Sequence, residues 1–156
     1  MSLHILDIVE NSIRAKASRI EIKVVEDTRK DLLTIEIKDN GQGIDEETIK
    51  KVVDPFFTTR TTRKVGLGLP LLSQAARESG GDVEIESKVG RGTRVKATFG
   101  YSHIDRKPLG NMGKTLTTLI AGNPEVDFRY EHKKDELEYH LDTKEIRARI
   151  KKKAIR

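Results

Sequence analysis

The chain has 156 residues, of which 35% are hydrophobic and 35% are charged, and its net charge is +5. This length suits one domain, or one domain with an appendage, and it suffices to bury a hydrophobic core. The lack of cysteine excludes disulfides, thiolate catalysis and cysteine–zinc sites, no apolar run approaches the roughly 18 residues that span a bilayer, and the early acids do not suit a signal peptide, so a cytoplasmic location is expected.

The N-terminal segment predicts one helix followed by a hairpin. Apolar residues recur at helical spacing over residues 3–16, which predicts an amphipathic helix that Ser2 caps. Residues 19–26 and 32–39 alternate polar and apolar positions, as half-buried strands do. The intervening turn, DTRKD, makes an antiparallel hairpin the expected arrangement.

The next segment, up to Phe99, predicts two helices and two more strands. Asp45 is expected to cap the short helix EETIKKVV, a loop (DPFFTTRTTRKVG) follows, and the next helix is expected to end at Gly80–Gly81. DVEIESK and TRVKATF alternate again, as strands do. The order α-β-β-α-loop-α-β-β predicts an α+β fold, a two-layer sandwich of one mixed sheet with helices on one face.

The character of the sequence changes after Phe99, so we interpret residues 1–100 as one domain and 101–156 as a C-terminal appendage. GYSHIDRKP is a linker, LGNMGKTLTTLIAGN is amphipathic and predicts a helix, and VDFRYEH with ELEYHLD predicts a hairpin. The basic tail Lys144–Arg156 could contact nucleic acid, anionic lipid or an acidic protein. A solvated helical end is the preferred interpretation of that tail.

Three glycine-containing turns are the candidates for chemistry. In DNGQGI, Asp39 ends a strand and two glycines allow close approach, so its carboxylate can accept a hydrogen bond from an amino-bearing ring such as adenine. GLGLPLL (66–72) opens a helix whose first N–H groups attract phosphate. GRGTRV (90–95) suits a hairpin turn. Each pattern alone also suits an ordinary turn with no ligand.

In this order, with Asn11 and Arg14 on a helix ahead of them, the three turns resemble the motifs of the GHKL ATPases, which include gyrase, a heat-shock chaperone, histidine kinases and the mismatch-repair ATPase. The resemblance covers residues 1–100 and implies the Bergerat fold, with ATP bound between a helical layer and a mixed sheet under a mobile lid. DPFFTTR…GLGLPLL…SGGDVEIESKVGRGT is most similar to the histidine-kinase ATP-binding domain, whereas LDIVENSIRAKASRIEI is closer to the mismatch-repair ATPase. Three features depart from the pattern: Val53 replaces a usual Phe, the lid is short, and no strand precedes the first helix.

The resemblance implies roles for the matched residues. Asn11 would hold Mg²⁺, which neutralises phosphate charge, and Arg14 would reach the phosphates of ATP. Asp39 would read the adenine amino group. The other expected nucleotide-binding residues are Gly41 and Gly43 beneath the base with Ile44 after them, Pro55 and Phe56 in the lid's aromatic box, Arg60, Arg63 and Lys64 near the γ-phosphate, Gly66, Gly68 and Leu69 in the phosphate loop, and Gly92 and Thr93 in the last box.

Two acids precede Asn11 on the first helix. Asp7 lies four residues before it and shares its face, whereas Glu10 is turned by about 100°. In the resembling ATPases and serine kinases a carboxylate at the first of these positions acts as a base, so Asp7 is the candidate catalytic residue, although it is one methylene shorter than the usual Glu. The alternative for Asp7 is a solvent-facing acid that favours the helix dipole. Glu10 is interpreted as a surface acid paired with Arg14.

Two further patterns carry no site by this reasoning. GNMGKT resembles a Walker loop, but Pro108 stands where that loop needs glycine, so a helix start is predicted. The four histidines lack metal-ligand spacing, although His132 and His140 lie on opposite arms of the last hairpin and could pair across it.

The favoured hypothesis is an ATP-binding module of histidine-kinase type that works as a stand-alone regulatory protein kinase or ATPase. It would lack its own phospho-acceptor histidine domain and act on an unidentified partner protein, and a homodimer is compatible with this role. The alternatives are a non-catalytic ATP/ADP-dependent switch and a nucleic-acid-binding protein that uses the basic tail. The last is the weakest, because no stacking array or recognition helix is visible.

Overall fold

The computed structural model describes residues 2–47, 68–104, 106, 108–146 and 148. The predicted loop at 54–66, and the helix expected after Asp45 beyond residue 47, lie outside these residues. The helices and strands are α1 (Ser2–Arg14), β1 (Arg19–Asp27), β2 (Leu32–Asp39), α2 (Gly68–Glu78), β3 (Val83–Lys88), β4 (Gly92–Gly100), α3 (Met112–Gly122), β5 (Asp127–Lys134) and β6 (Leu137–Asp142).

The strands of the described residues form one six-stranded mixed sheet in the order β3-β4-β2-β1-β5-β6. The predicted hairpin β1–β2 is antiparallel, with Ile20 opposite Asp39. β5 runs parallel to β1, with Phe128 opposite Ile20, and the other neighbours are antiparallel. Three described helices accompany the sheet, so the predicted α+β fold is confirmed.

Alternation along the strands separates the two faces of the sheet. On β1, Ile20, Ile22 and Val24 are buried, whereas the residues between them are more exposed. The buried face packs against the helices. From α1, Ile5 and Val9 belong to this hydrophobic core. Removal of this apolar surface from water is the main driving force that holds the two layers together. None of the helices among the described residues is long and apolar enough to cross a lipid bilayer.

The residues after 100 continue the same sheet and core. β5 lies beside β1, and Phe128 and Tyr130 belong to the same buried cluster as Ile20. GNMGKT forms the start of α3, where the Asn111 side chain accepts a hydrogen bond from Lys114 N at 3.0 Å. The division of the chain at residue 100 stays a prediction, and most of the basic tail lies outside the described residues.

The register of the last hairpin separates its two histidines. His132 lies opposite Tyr139, and His140 lies opposite Glu131. Directly opposite residues share a face, and neighbours along a strand alternate, so His132 and His140 are on opposite faces of the sheet. The suggested pairing of these two histidines across the hairpin is therefore wrong.

Candidate functional site

A cavity of about 740 Å³ opens between α1, the end of β2, the start of α2 and the β3–β4 turn. This volume is typical of small-molecule sites, which span about 300–1,000 Å³. Much of its wall is apolar, from residues such as Ile8, Ile37 and Leu69. A few polar side chains converge on it, namely Asn11, Ser12, Arg14, Asp39, Gln42, Asp45 and Thr93.

Asp39 is held in a fixed orientation at the end of β2. Its Oδ2 accepts a hydrogen bond from Ser12 Oγ at 2.6 Å, and its Oδ1 accepts one from the Gly41 N–H at 2.9 Å. A carboxylate has about four lone-pair sites, so both oxygens can still accept from a ligand. Because Asp39 also lines the cavity, it is an oriented hydrogen-bond acceptor on its wall.

Ser12 was not predicted from the sequence. It is only 4% exposed, and its hydroxyl lies 3.4 Å from the Ile8 carbonyl oxygen in addition to its bond to Asp39. One signal was available: Ser12 follows the core residues Ile5 and Ile8 at helical spacing, and a hydroxyl on a buried face needs a partner. The identity of that partner required the three-dimensional structure.

The glycines of DNGQGI and the β3–β4 turn allow backbone segments to touch. Gly43 has φ +78°, and an added Cβ would lie 2.2 Å from the Lys88 carbonyl oxygen. Gly92 has φ +128°, and its Cβ would lie 2.0 Å from the Asp39 carbonyl oxygen. A side chain at Gly92 would displace the backbone of Asp39, and one at Gly43 would displace the backbone at the end of β3, so these glycines shape the cavity wall.

Thr93 lies directly opposite Asp39 on β4. Its Oγ1 is 2.8 Å from Ser87 Oγ, which in turn accepts a hydrogen bond from the Ile44 N–H at 2.7 Å. Ser87 is a second residue that the sequence did not indicate. It joins Thr93 to the turn that follows Asp39.

The predicted residues of α1 differ in whether they line the cavity. Asn11 and Arg14 line the cavity, whereas Asp7 and Glu10 are not among its lining residues. Asp7 is partly buried one turn before Asn11, and Glu10 is exposed. The face shared by Asp7 and Asn11 follows from helix geometry, and the base role of Asp7 stays a prediction.

The remaining candidates fall into two groups. Leu69 is 2% exposed and lines the cavity beside the start of α2, where Gly68 is the first helical residue. Gly41 is buried behind Asp39, where an added Cβ would lie 2.8 Å from the Ala15 carbonyl oxygen. The predicted lid and loop residues lie outside the described residues; these are Pro55, Phe56, Arg60, Arg63, Lys64 and Gly66.

Comparison with known proteins identifies the family. The model of the histidine kinase-, DNA gyrase B- and HSP90-like ATPases matches residues 2–103, and the chain belongs to this family. The resemblance inferred from the motifs is thereby confirmed.

Two relatives among the curated proteins are sensor kinases. The sensor protein kinase FleS of Pseudomonas aeruginosa is 40% identical over 89 residues, which are 57% of this chain and 22% of that protein. The signal transduction histidine-protein kinase AtoS of Escherichia coli is 37% identical over 99 residues, which are 61% of this chain and 15% of that protein. The chain thus spans less than a quarter of the length of these two relatives.

A solved structure has the same fold. The Aquifex aeolicus MutL ATPase domain complexed with ADP has a TM-score of 0.55 and 24% sequence identity. The likeness covers 91% of this chain and 62% of that chain. It extends over more of the chain than the family match does.

Proposed function

We propose that this chain is an ATP-binding module of histidine-kinase type. In this proposal it transfers the terminal phosphoryl group of ATP or hydrolyses ATP, and it acts together with a regulatory partner protein. The observation that carries the proposal is Asp39, an oriented acceptor on the wall of a largely apolar cavity. An adenine ring needs apolar walls for its faces and an acceptor for its amino group. The cavity supplies both.

The adenine would lie between apolar side chains beside β3 and β4, the two strands that the Ser87 and Thr93 hydroxyl groups connect. Asp39 would accept from the exocyclic amino group, and the hydroxyl of Thr93 would add a second polar contact. The close backbone contacts at Gly43 and Gly92 support this arrangement, because they keep side chains out of the turn that carries Asp39. The MutL structure was solved with ADP, and the shared family makes a nucleotide the best-supported ligand here.

The residues also fit Mg²⁺ if the phosphates supply most of its ligands. Among the described residues no group of three acidic or histidine side chains could hold a metal by itself. Asn11 offers one amide oxygen on the cavity wall, and Mg²⁺ commonly uses few protein ligands together with phosphates and waters. When bound, the ion would neutralise phosphate charge, and Arg14 would add a second positive group nearby.

The role of Asp7 distinguishes the catalytic form of the proposal from a nucleotide-dependent switch. In the catalytic form of the proposal, its carboxylate would accept the proton of a water or of a partner's hydroxyl group as that oxygen bonds to the terminal phosphorus and ADP leaves, and Asn11 would help to hold Mg²⁺. Its place one turn before Asn11 on the same helix supports this role. The alternative form is a nucleotide-dependent switch without turnover, in which only the occupancy of the cavity reports to the partner.

Calorimetry with ATP, with and without Mg²⁺, tests the binding proposal. We expect binding that weakens when Mg²⁺ is removed, and the absence of both ATP and ADP binding would overturn the proposal. Turnover is then measured on the parent and on Asp7→Asn, with Glu10→Gln as the matched control on the neighbouring position. We expect Asp7→Asn to bind ATP normally and lose turnover; an unchanged rate would contradict the base assignment.

A further inference from the structure

The edge strand β6 carries an unusual combination of features. It is the last strand on one side of the sheet that the described residues form. Natural edge strands are commonly protected by lysine or proline, yet the sequence of β6, LEYHLD, contains neither. Leu137 is 75% exposed and Tyr139 is 57% exposed, so this edge presents apolar side chains beside unprotected backbone.

The pairing with β5 assigns each β6 side chain to a face. Leu141 lies opposite Tyr130, which is buried under the helices, so Leu141, Tyr139 and Leu137 project on the helix-covered side. The ring of Tyr139 contacts that of Tyr130, with centroids 6.1 Å apart. The intervening Glu138 and His140 project on the open side.

We propose that β6 pairs antiparallel with β6 of a second copy of this chain, about a two-fold axis at Tyr139. Each Leu137 then lies opposite a Leu141 of the other copy, and the two Tyr139 rings meet at the axis. On the open side, each Glu138 lies opposite a His140 of the other copy. The strand is self-complementary, as an isologous two-fold interface requires.

The two neighbouring registers place like charges opposite each other within β6. An axis at Glu138 places two glutamates directly opposite each other, and an axis at His140 places Glu138 opposite Asp142. Like charges directly opposite destabilise a strand pair. Within β6 the register at Tyr139 places no two acids opposite each other, and its one acidic pair, Asp142 with Glu136, involves a residue of the turn before the strand.

The other edge of the sheet gives the contrast. β3 reads VEIESK, with Glu84 and Glu86 on the same side. A two-fold axis at Ile85 would place Glu84 opposite Glu86 of the other copy, and an axis at Glu86 would place two glutamates together. An axis at Ser87 would place Glu86 opposite Lys88, so the two edges differ mainly in what they expose. The exposed side chains of β3 are all charged, which protects a sheet edge, whereas β6 exposes Leu137 and Tyr139.

Two complementary variants test the register. His140→Glu places two pairs of glutamates across the interface, and Glu138→Lys places the introduced lysines opposite His140. Two attractive contacts are lost in each variant, and His140→Glu also gains repulsive ones, so we expect roughly tenfold weaker dimerisation by sedimentation equilibrium for each variant alone. In an equimolar mixture the introduced lysine faces the introduced glutamate, and Glu138 faces His140, so a heterodimer should form.

The mixture also controls for changes inside each chain. The substitutions meet Lys133 and Glu131 on β5 of their own chain, and these contacts are identical in the separate variants and in the mixture. Ile104→Lys, at a 93% exposed apolar residue outside β6, should leave dimerisation unchanged. A monomeric parent would overturn the proposal, as would a mixture that associates no more tightly than its components.

Discussion

Replacing Asp39 by asparagine should change the ligand contacts of this residue more than its contacts within the protein. The Gly41 N–H can only donate, so the amide oxygen of Asp39→Asn will take the position of Oδ1, 2.9 Å away. The amide NH₂ then takes the position of Oδ2, and the Ser12 hydroxyl, 2.6 Å away, can rotate to accept. An acceptor in the cavity becomes a donor with little change in shape.

The size of the effect follows from the lost contact. A hydrogen bond to a charged group contributes about 1.5–3 kcal/mol. The adenine amino group would now face another donor, so ATP affinity should fall by about 10- to 150-fold. The free energy of unfolding should change by less than about 1 kcal/mol, because both contacts to Ser12 and Gly41 have a substitute.

Calorimetry with two nucleotides distinguishes this cause from a general loss of structure. ATP is compared with a purine nucleotide whose six-position carries a carbonyl group in place of the amino group. The parent should prefer ATP, and Asp39→Asn should lose this preference. Asp31→Asn makes the same chemical change just before β2 and should not affect binding. An Asp39→Asn affinity within about twofold of the parent would refute the reasoning, as would equal weakening of both nucleotides.

Three further predictions concern stability. Gly43→Ala should destabilise the fold by more than about 2 kcal/mol in denaturant unfolding, since its Cβ would lie 2.2 Å from the Lys88 carbonyl oxygen. Burial opposes the charge of Asp142, but hydrogen bonds, chiefly from Arg19 at 3.0 Å, hold its pKa below the usual value. That stabilisation is present above the unfolded-state pKa and is lost as the pH falls through the folded pKa, so Asp142→Asn should cost about 1–3 kcal/mol at neutral pH and progressively less as the pH falls below 3.8. Burial raises the pKa of Tyr130 to about 12 from 10.0, so stability should decline as the pH rises between these values, and Tyr130→Phe should remove that decline.

Matched variants separate these causes from general effects. Gly90 also has a positive φ, +85°, but nothing lies within 4 Å of its added Cβ, so Gly90→Ala should cost only the backbone strain. Equal costs at Gly43 and Gly90 would contradict the steric argument. Tyr139→Phe, on the exposed edge, should keep the alkaline decline. A cost of Asp142→Asn that does not depend on pH would contradict the assignment of its charge.

Local patterns were sufficient for most elements of the fold. The alternation in residues 19–26 and 32–39 predicted a hairpin whose observed strands differ by one residue at one end. The parallel pairing of β1 with β5 was not predicted, because Ile20 and Phe128 are far apart in sequence and no local signal selects a distant neighbour. That pairing depends on which buried faces fit together in three dimensions.

The site residues were likewise predicted where the signal was local in sequence, and missed where it depended on distant residues. Asp39, Gly43 and Thr93 stood in recognisable turns, and the structure brings them together. Ser12 and Ser87 were missed because serine has many roles and neither stands in a motif with a fixed spacing. Their importance arises from burial and from partners that are distant in sequence, Asp39 and Ile44 respectively.

The C-terminal strands also support the site through a series of hydrogen bonds. The Asn40 side chain, next to Asp39, accepts hydrogen bonds from Ser18 N at 2.9 Å and Arg19 N at 3.0 Å. The Arg19 guanidinium in turn donates to Asp142 at the end of β6, and Asp127 N donates to the Ser18 carbonyl oxygen at 2.9 Å. Without the residues after 100, β1 would become an edge strand and the segment that anchors Asn40 would lose these partners. β5 and β6, which lie past the end of the family match, therefore help to fix the turn that presents Asp39.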